Sequence, residues 1–258
     1  MKDSHKSNWH QKTVIITGGS SGIGKATALA LANMDAHVLI TGRRQEKLEE
    51  VASANKNIQY VVADTSDSNS AEKIVHHAVS AFDRIDTLIN NAGAGGLRPI
   101  EDYSAEFISD ICAANIIGPS LLLKEALPLL KESKGTVINI CTAVSKNAGP
   151  VIAHYGATKA ALEYLTRSWA IELAPHGIRV NGIAPGPVKT GALTGMMGLN
   201  ADMAKSIEEI EASQVPLGRR GITDDIVPWI LKFAHADNHW TTGQILSVDG
   251  GWSQRSHQ

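Results

Sequence analysis

The segment Thr17-Gly18-Gly19-Ser20-Ser21-Gly22-Ile23-Gly24 constrains what this chain can fold into more than any other. It follows a short β-branched run, Lys12 to Thr17 (KTVIIT), and opens Ile23 to Asn33 (IGKATALALAN), whose alanine and leucine content suits a helix packed closely on a sheet. Strand, glycine-rich turn and helix in that order make the first βα unit of a doubly wound sheet, where helix-terminal N–H groups face a pyrophosphate. Glycine is needed because the turn requires unusual dihedrals, the diphosphate must approach the backbone, and the last glycine lets helix and strand pack closely. A ligand-free tight turn is the competing reading, and the placement between first strand and first helix weighs against it. Gly18, Ser20, Ser21, Gly22, Ile23 and Gly24 are thus candidate cofactor contacts.

His37 to Thr41, Ile58 to Ala63, Asp86 to Asn90, Thr136 to Cys141, Ile178 to Ala184 and Gln244 to Val248 are further apolar runs, separated mostly by helical patterns. Among those patterns are a helix ending in SLLLKEALPLLKES, one from Ala153 to Ala174, and one near Asp224 to His235. The alternation predicts an α/β fold: a Rossmann-like, doubly wound parallel β-sheet with helices on both faces, in a single domain. At 258 residues the chain can bury one sizeable core, with residues 1–11 as a flexible polar arm and 12–258 as the domain. Gly186 to Asn200 carries four glycines and almost no periodicity, which predicts a substrate lid over about 186–212.

Charge and cysteine content narrow the function. Lys and Arg number 24 against 26 Asp and Glu, a net charge of −2, so no overall field draws the molecule to nucleic acid or an anionic membrane. Cys112 and Cys141 are too few for a disulfide framework and fit the cytoplasm, and no run of 18 apolar residues predicts a membrane span. The partner expected is a small molecule.

The second strand ends Thr41-Gly42-Arg43-Arg44, where a carboxylate would select NAD by binding the adenosine ribose. Arginine instead removes the repulsion against a 2′-phosphate and can grip it through two parallel hydrogen bonds, which favours NADP(H) over NAD(H). The competing role for either arginine is the basic start of a solvated helix, RRQEKLEE. Tyr155 and Lys159 stand four apart in a helical stretch, so both emerge on one face about a turn apart. A phenol titrates near pH 10, and a neighbouring ammonium favours its ionised form; a shift of about three units toward neutrality would represent about 4 kcal/mol, for the ammonium and a nicotinamide cation to supply together. Tyr155 is the candidate general acid and base.

Together these residues resemble the short-chain dehydrogenase/reductase family, in its compact form, from Lys12 to Trp252. The resemblance implies that Asp64 contacts adenine, and that Asn91, Ala92 and Gly93, within Asn90-Asn91-Ala92-Gly93, support the sheet and border the cofactor. It implies that Asn115 holds a water in a proton relay, and that Lys159 binds the nicotinamide ribose and lowers the Tyr155 pKa. Within Pro185-Gly186-Pro187-Val188-Lys189-Thr190, Val188 and Thr190 would receive the carboxamide, with Pro185 and Gly186 beside them. Thirteen residues before the tyrosine the family usually has a serine, and here Thr142 stands there. Threonine keeps the hydroxyl but adds a methyl and a stiffer χ1; Ser145 would serve only if the loop were shifted, so spacing favours Thr142. The resemblance further implies transfer from the B face of the ring and a homo-oligomer, tetramer or dimer.

The expected activity is NADP(H)-dependent ketone reduction with Asn115, Thr142, Tyr155 and Lys159 as catalytic residues. The alternative is an NADP(H)-binding regulatory or scaffold protein with weak or no catalysis, motivated by Thr142. Leu193, Met196, Met197 and Leu199 of the lid, with Ala94, Leu97, Ala143, Val144 and Val151, suggest an apolar substrate pocket. No metal is expected: His76-His77 and the pair His235 and His239 lack further ligands at suitable spacing and read as solvated histidines. Cys112 and Cys141 read as small buried residues without chemistry.

Overall fold

A computed structural model describes residues 9–146 and 148–254 of the chain. All seven apolar runs become strands: β1 (Thr13–Thr17), β2 (His37–Gly42), β3 (Ile58–Val62), β4 (Thr87–Asn90), β5 (Thr136–Ile140), β6 (Arg179–Pro185) and β7 (Ile245–Val248). They pair in parallel throughout, in the order β3-β2-β1-β4-β5-β6-β7. The order reverses between β1 and β4, which opens a crevice beyond their carboxyl ends, where ligands bind in sheets of this kind.

The helices are α1 (Gly22–Ala32), α2 (Gln45–Ser53), α3 (Ser70–Phe82), α4 (Ala105–Cys112), α5 (Gly118–Ser133), α6 (Ala153–Leu173), α7 (Ala192–Gly195), α8 (Ala201–Gln214) and α9 (Thr223–Ala234). A π-helical turn, Ala113–Ile117, joins α4 to α5. Strand alternation divides the core in two. Val14 and Ile16 of β1 face one apolar cluster with Leu31 of α1 and Ile230 of α9, while Ile15 faces another with Ile74 of α3, Leu122 of α5 and Leu173 of α6. Both faces are covered, which is why these strands read as continuous apolar runs rather than alternating ones.

The polar arm expected over residues 1–11 needs correction at its inner end. Residues 1–8 lie outside the described residues, but Trp9 is buried in the core and its ring packs edge-on against His235 at 6.0 Å. His235, with a side chain 13% exposed, is therefore packed rather than solvated. Residues 105–133 form a run long and apolar enough to match a membrane-crossing helix, although no 18-residue apolar stretch is present. Leu122, Leu123, Ala126 and Leu130 of that run are spent on the core under the sheet. The expected lid consists of the short α7, irregular chain on either side of it, and α8.

Candidate active site

Thr17, at the end of β1, fastens the crevice. Its hydroxyl accepts the N–H groups of Asn91 (3.0 Å) and Ala92 (2.9 Å) at the end of β4, and Asn91 Nδ2 donates to the carbonyls of Thr17 (2.8 Å) and Gly18 (3.1 Å). Gly18 takes φ +66° and Gly22 φ +52°, left-handed values at which a side chain is strained. A Cβ at Gly24 would meet the Gly18 carbonyl and Asn91, so Gly24 stays behind the turn and packs α1 onto the sheet. Ser21, at the N-cap of α1, makes no side-chain hydrogen bond to the first turn, which leaves N–H groups there for another acceptor. Donors of this kind, a bare backbone and a cleft of about 1050 Å³ fit a dinucleotide.

That cleft brings together every candidate cofactor residue except Gly24: Gly18, Ser20, Ser21, Gly22, Ile23, Arg43, Arg44, Asp64, Asn91, Ala92, Gly93, Tyr155, Lys159, Pro185, Gly186, Val188 and Thr190 all line it. At one end Arg43 Nη1 lies 3.9 Å from the Asp64 carboxylate with its side chain 77% exposed, so its guanidinium is reachable by a ligand. Sequence reasoning missed two further cations there. Lys25 and Lys47 converge on Glu50 at 2.8 and 3.1 Å, and their hydrogen bonds hold that carboxyl down at about 2. In sequence both lysines look like ordinary helix-surface residues, and only the fold puts α1 beside α2.

At the other end stand Tyr155 and Thr142, with Lys159 a turn along α6. Tyr155 and Lys159 are buried, 9% and 3% exposed. Thr142 Oγ1 accepts the Val144 N–H at 3.3 Å, and its hydroxyl stands near enough to the Tyr155 phenol to act on that group's titration. The Ser145 hydroxyl points elsewhere, to the Thr142 carbonyl (2.6 Å) and to Glu163. Lys159 Nζ donates to the Ile140 carbonyl at 2.8 Å. Asn115, in the π-helical turn, is fully buried; its Oδ1 accepts the Ala94 N–H (2.9 Å), and its Nδ2 donates to the Ala94 carbonyl (2.8 Å) and Thr158 Oγ1 (3.0 Å). Gly93 is wedged between them: a Cβ there would come within 3.0 Å of Asn115 Oδ1 and 3.2 Å of Lys159 Nζ.

Burial pushes the Tyr155 phenol up from its ordinary value, the Thr142 hydrogen bond pulls it down, and the Cys141 thiol adds to the rise, for a net rise. Burial likewise pushes Lys159 down. In the protein without cofactor the Lys159 ammonium is directed at the Ile140 carbonyl and desolvation dominates, whereas the expected depression draws on that ammonium together with a nicotinamide cation. Cys141 is pushed up to about 12 by burial, the state of an unreactive thiol.

Of the candidate substrate residues, Ala94 and Met196 line the cleft. Met197 lies beyond Gly95, where a Cβ would come within 2.8 Å of its Sδ and 3.3 Å of the Tyr155 ring. Ala143 is 0% exposed, so it packs inside its turn and cannot touch substrate. Leu97, Val144 and Val151 are not among the cleft-lining residues. Among the described residues no group of three or more His, Cys, Asp or Glu side chains is placed to hold a metal. Sequence reasoning also missed Arg220, 3% exposed, which joins Glu208 (2.5 Å) and Glu211 (2.9 Å) of α8 to the Val188 carbonyl (3.0 Å), tying the lid to the cofactor segment.

Residues 18–253 match the sequence model of a family described as enoyl-(acyl carrier protein) reductase. L-rhamnose 1-dehydrogenase (NAD(P)(+)) of Azotobacter vinelandii is 34% identical over 252 residues, 93% of this chain and 96% of that one. A short-chain dehydrogenase/reductase from Caenorhabditis elegans, solved with cofactor, superposes with a TM-score of 0.91 at 34% identity, covering 97% of this chain and 98% of its own. A 3-ketoacyl-(acyl-carrier-protein) reductase from Brucella melitensis, complexed with NADH, gives 0.88 at 29% identity over 95% and 99%.

Proposed function

We propose an activity for this chain, which belongs to the short-chain dehydrogenase/reductase family: reversible hydride exchange between NADP(H) and a ketone or secondary alcohol, running as ketone reduction. The observation that carries this reading is the convergence of the Thr142 hydroxyl, the Tyr155 phenol and Lys159 at one end of a cleft whose other end is lined by Arg43, Arg44, Lys25 and Lys47.

Bound there, a nicotinamide dinucleotide supplies the hydride. The chain supplies a proton and a place for the developing charge. The Val144 N–H on Thr142 Oγ1 holds that hydroxyl in the same stretch of cleft lining as the Tyr155 phenol. A carbonyl oxygen entering between the two hydroxyls takes hydrogen bonds from both, and as negative charge grows Tyr155 gives up its proton to it. Lys159 offsets the phenolate left behind, and Asn115 holds the Ala94 backbone beside the reacting centre. Four cations against the carboxylates of Glu50 and Asp64 at the far end favour a 2′-phosphate, and so NADP(H). Cys112 and Cys141, both free, suit the cytoplasm.

The test is NADPH oxidation against ethyl acetoacetate, cyclohexanone and a β-ketoacyl thioester. Tyr155→Phe is expected to lower turnover about 10³-fold or more while the NADPH Kd stays within about threefold. Arg43→Ala should weaken NADPH about tenfold, about 1.4 kcal/mol, and leave NADH nearly unchanged. Near-wild-type turnover in Tyr155→Phe overturns the proposal; tight NADPH binding with no oxidation across the panel favours a regulatory or scaffold protein.

A further inference from the structure

Glu163 is a buried carboxylate, 8% exposed, to which the mechanism above gives no part. It lies on α6 four residues past Lys159 and eight past Tyr155, on the same face of the helix. A carboxylate taken out of water is costly unless it is hydrogen-bonded, so its partner is informative. That partner is Ser145 Oγ, which also lies 2.6 Å from the Thr142 carbonyl oxygen. The single hydroxyl proton of Ser145 is shared between these two acceptors, and the Ser145 N–H reaches the same Thr142 carbonyl at 3.3 Å.

The turn from Thr142 to Ser145 is therefore fastened to α6 through Ser145 on Glu163, and its first residue, Thr142, shares the cleft lining with Tyr155. Its far flank is held by Lys146 Nζ on Ser247 Oγ at 2.6 Å. A threonine has few χ1 choices, so the height of the Thr142 hydroxyl follows the backbone of this turn. The phenol is fixed by the helix and the hydroxyl by the turn, and a carbonyl oxygen must be within reach of both.

We infer that Glu163 is a positioning residue: through Ser145 it seats the turn that presents the Thr142 hydroxyl to Tyr155 and the substrate carbonyl. The inference rests on the activity proposed above and adds to it a carboxylate that touches neither substrate nor cofactor.

The test compares Glu163→Ala, Glu163→Gln, Ser145→Ala and the double alanine variant with wild type and Tyr155→Phe, using NADPH and whichever of the three carbonyl probes wild type reduces fastest. Glu163→Ala and Ser145→Ala are expected to lower kcat about tenfold or more, with the KM for NADPH within about twofold and the double variant no worse than the poorer single one. Glu163→Gln, whose amide can donate to Ser145 Oγ, should restore kcat to within about threefold of wild type. Independently of turnover, amide hydrogen exchange of cofactor-free protein should speed up at Val144 and Ser145 in both alanine variants and stay at the wild-type rate in the glutamine variant. The inference is overturned if Glu163→Ala keeps wild-type kcat, if the two alanine effects add, or if Glu163→Gln is as impaired as Glu163→Ala. Tyr155→Phe separates the failures: if it stays active the proposed activity is wrong, and if it is dead while Glu163→Ala is unimpaired only the role of Glu163 falls.

Discussion

Two neighbours on one helix turn, Tyr155 and Lys159, divide their charge differently from what their spacing suggests. Burial raises the phenol and lowers the ammonium, so the free protein holds Tyr155 protonated, the form a proton donor needs. The expected outcome is that the ultraviolet difference titration between wild type and Tyr155→Phe shows no tyrosinate from Tyr155 below its ordinary 10.0. A step near neutrality would contradict the burial argument and restore the depressed phenol. Spacing put Tyr155 and Lys159 on one helix face, but it took the resemblance to a family to make that pair meaningful and to single out Thr142, thirteen residues earlier. Which way the Lys159 ammonium points was not legible, since that depends on the Ile140 carbonyl, nineteen positions away in sequence and brought there only by packing. Glu163 left a trace in the pattern, its spacing from Tyr155 and Lys159, but nothing marked Ser145 as its partner.

At the scale of elements, the amino end of β4 shows how a buried charge can anchor a sheet. The Asp86 carboxylate, with a side chain 8% exposed, takes the Thr13 N–H at 2.9 Å, Arg84 at 2.6 and 2.8 Å, and Lys12 at 3.0 Å. Burial opposes its ionisation, but Arg84, Thr13 and Lys12 outweigh burial and hold it below its ordinary 3.8. A group depressed by folding stabilises above its unfolded pKa, and that contribution is lost as pH falls through the folded value. Asp86→Asn is therefore expected to cost about 1–3 kcal/mol at pH 7, read as the urea midpoint, with wild type and variant converging below pH 3.8. Equal midpoints at neutral pH would show that the cluster is decorative. The strands themselves were legible to within a residue or two, since a parallel sheet covered on both faces needs unbroken apolar runs such as TVINI in β5. The π-helical turn at Ala113–Ile117 was not, because one extra backbone unit in an apolar helix leaves no signature in the pattern, and Asn115 depends on it for its place.

For the whole molecule, the surface carries apolar side chains that a solitary copy would leave in water. Tyr164 and Ile171 are 70% and 79% exposed and lie seven residues apart on α6, so they share one outer face. Elsewhere, Trp229 of α9 is 44% exposed and Trp240, in the chain that leads to β7, is 95% exposed. Exposed apolar side chains on separate elements suit two self-complementary contacts, one on α6 and one at Trp240, and two intersecting twofold axes generate a tetramer rather than an open chain. Light scattering in solution is thus expected to give about four times the 27.5 kDa of one chain. Ile171→Asp, which puts a charge on the α6 face and touches nothing in the cleft, should halve that mass, and Trp240→Asp should halve it through the other contact, each leaving a dimer of the opposite kind. The double variant should then be monomeric. A wild-type monomer at micromolar concentration would show that these side chains are single exposed residues of the ordinary sort, and unchanged tetramers in both variants would place the contacts elsewhere.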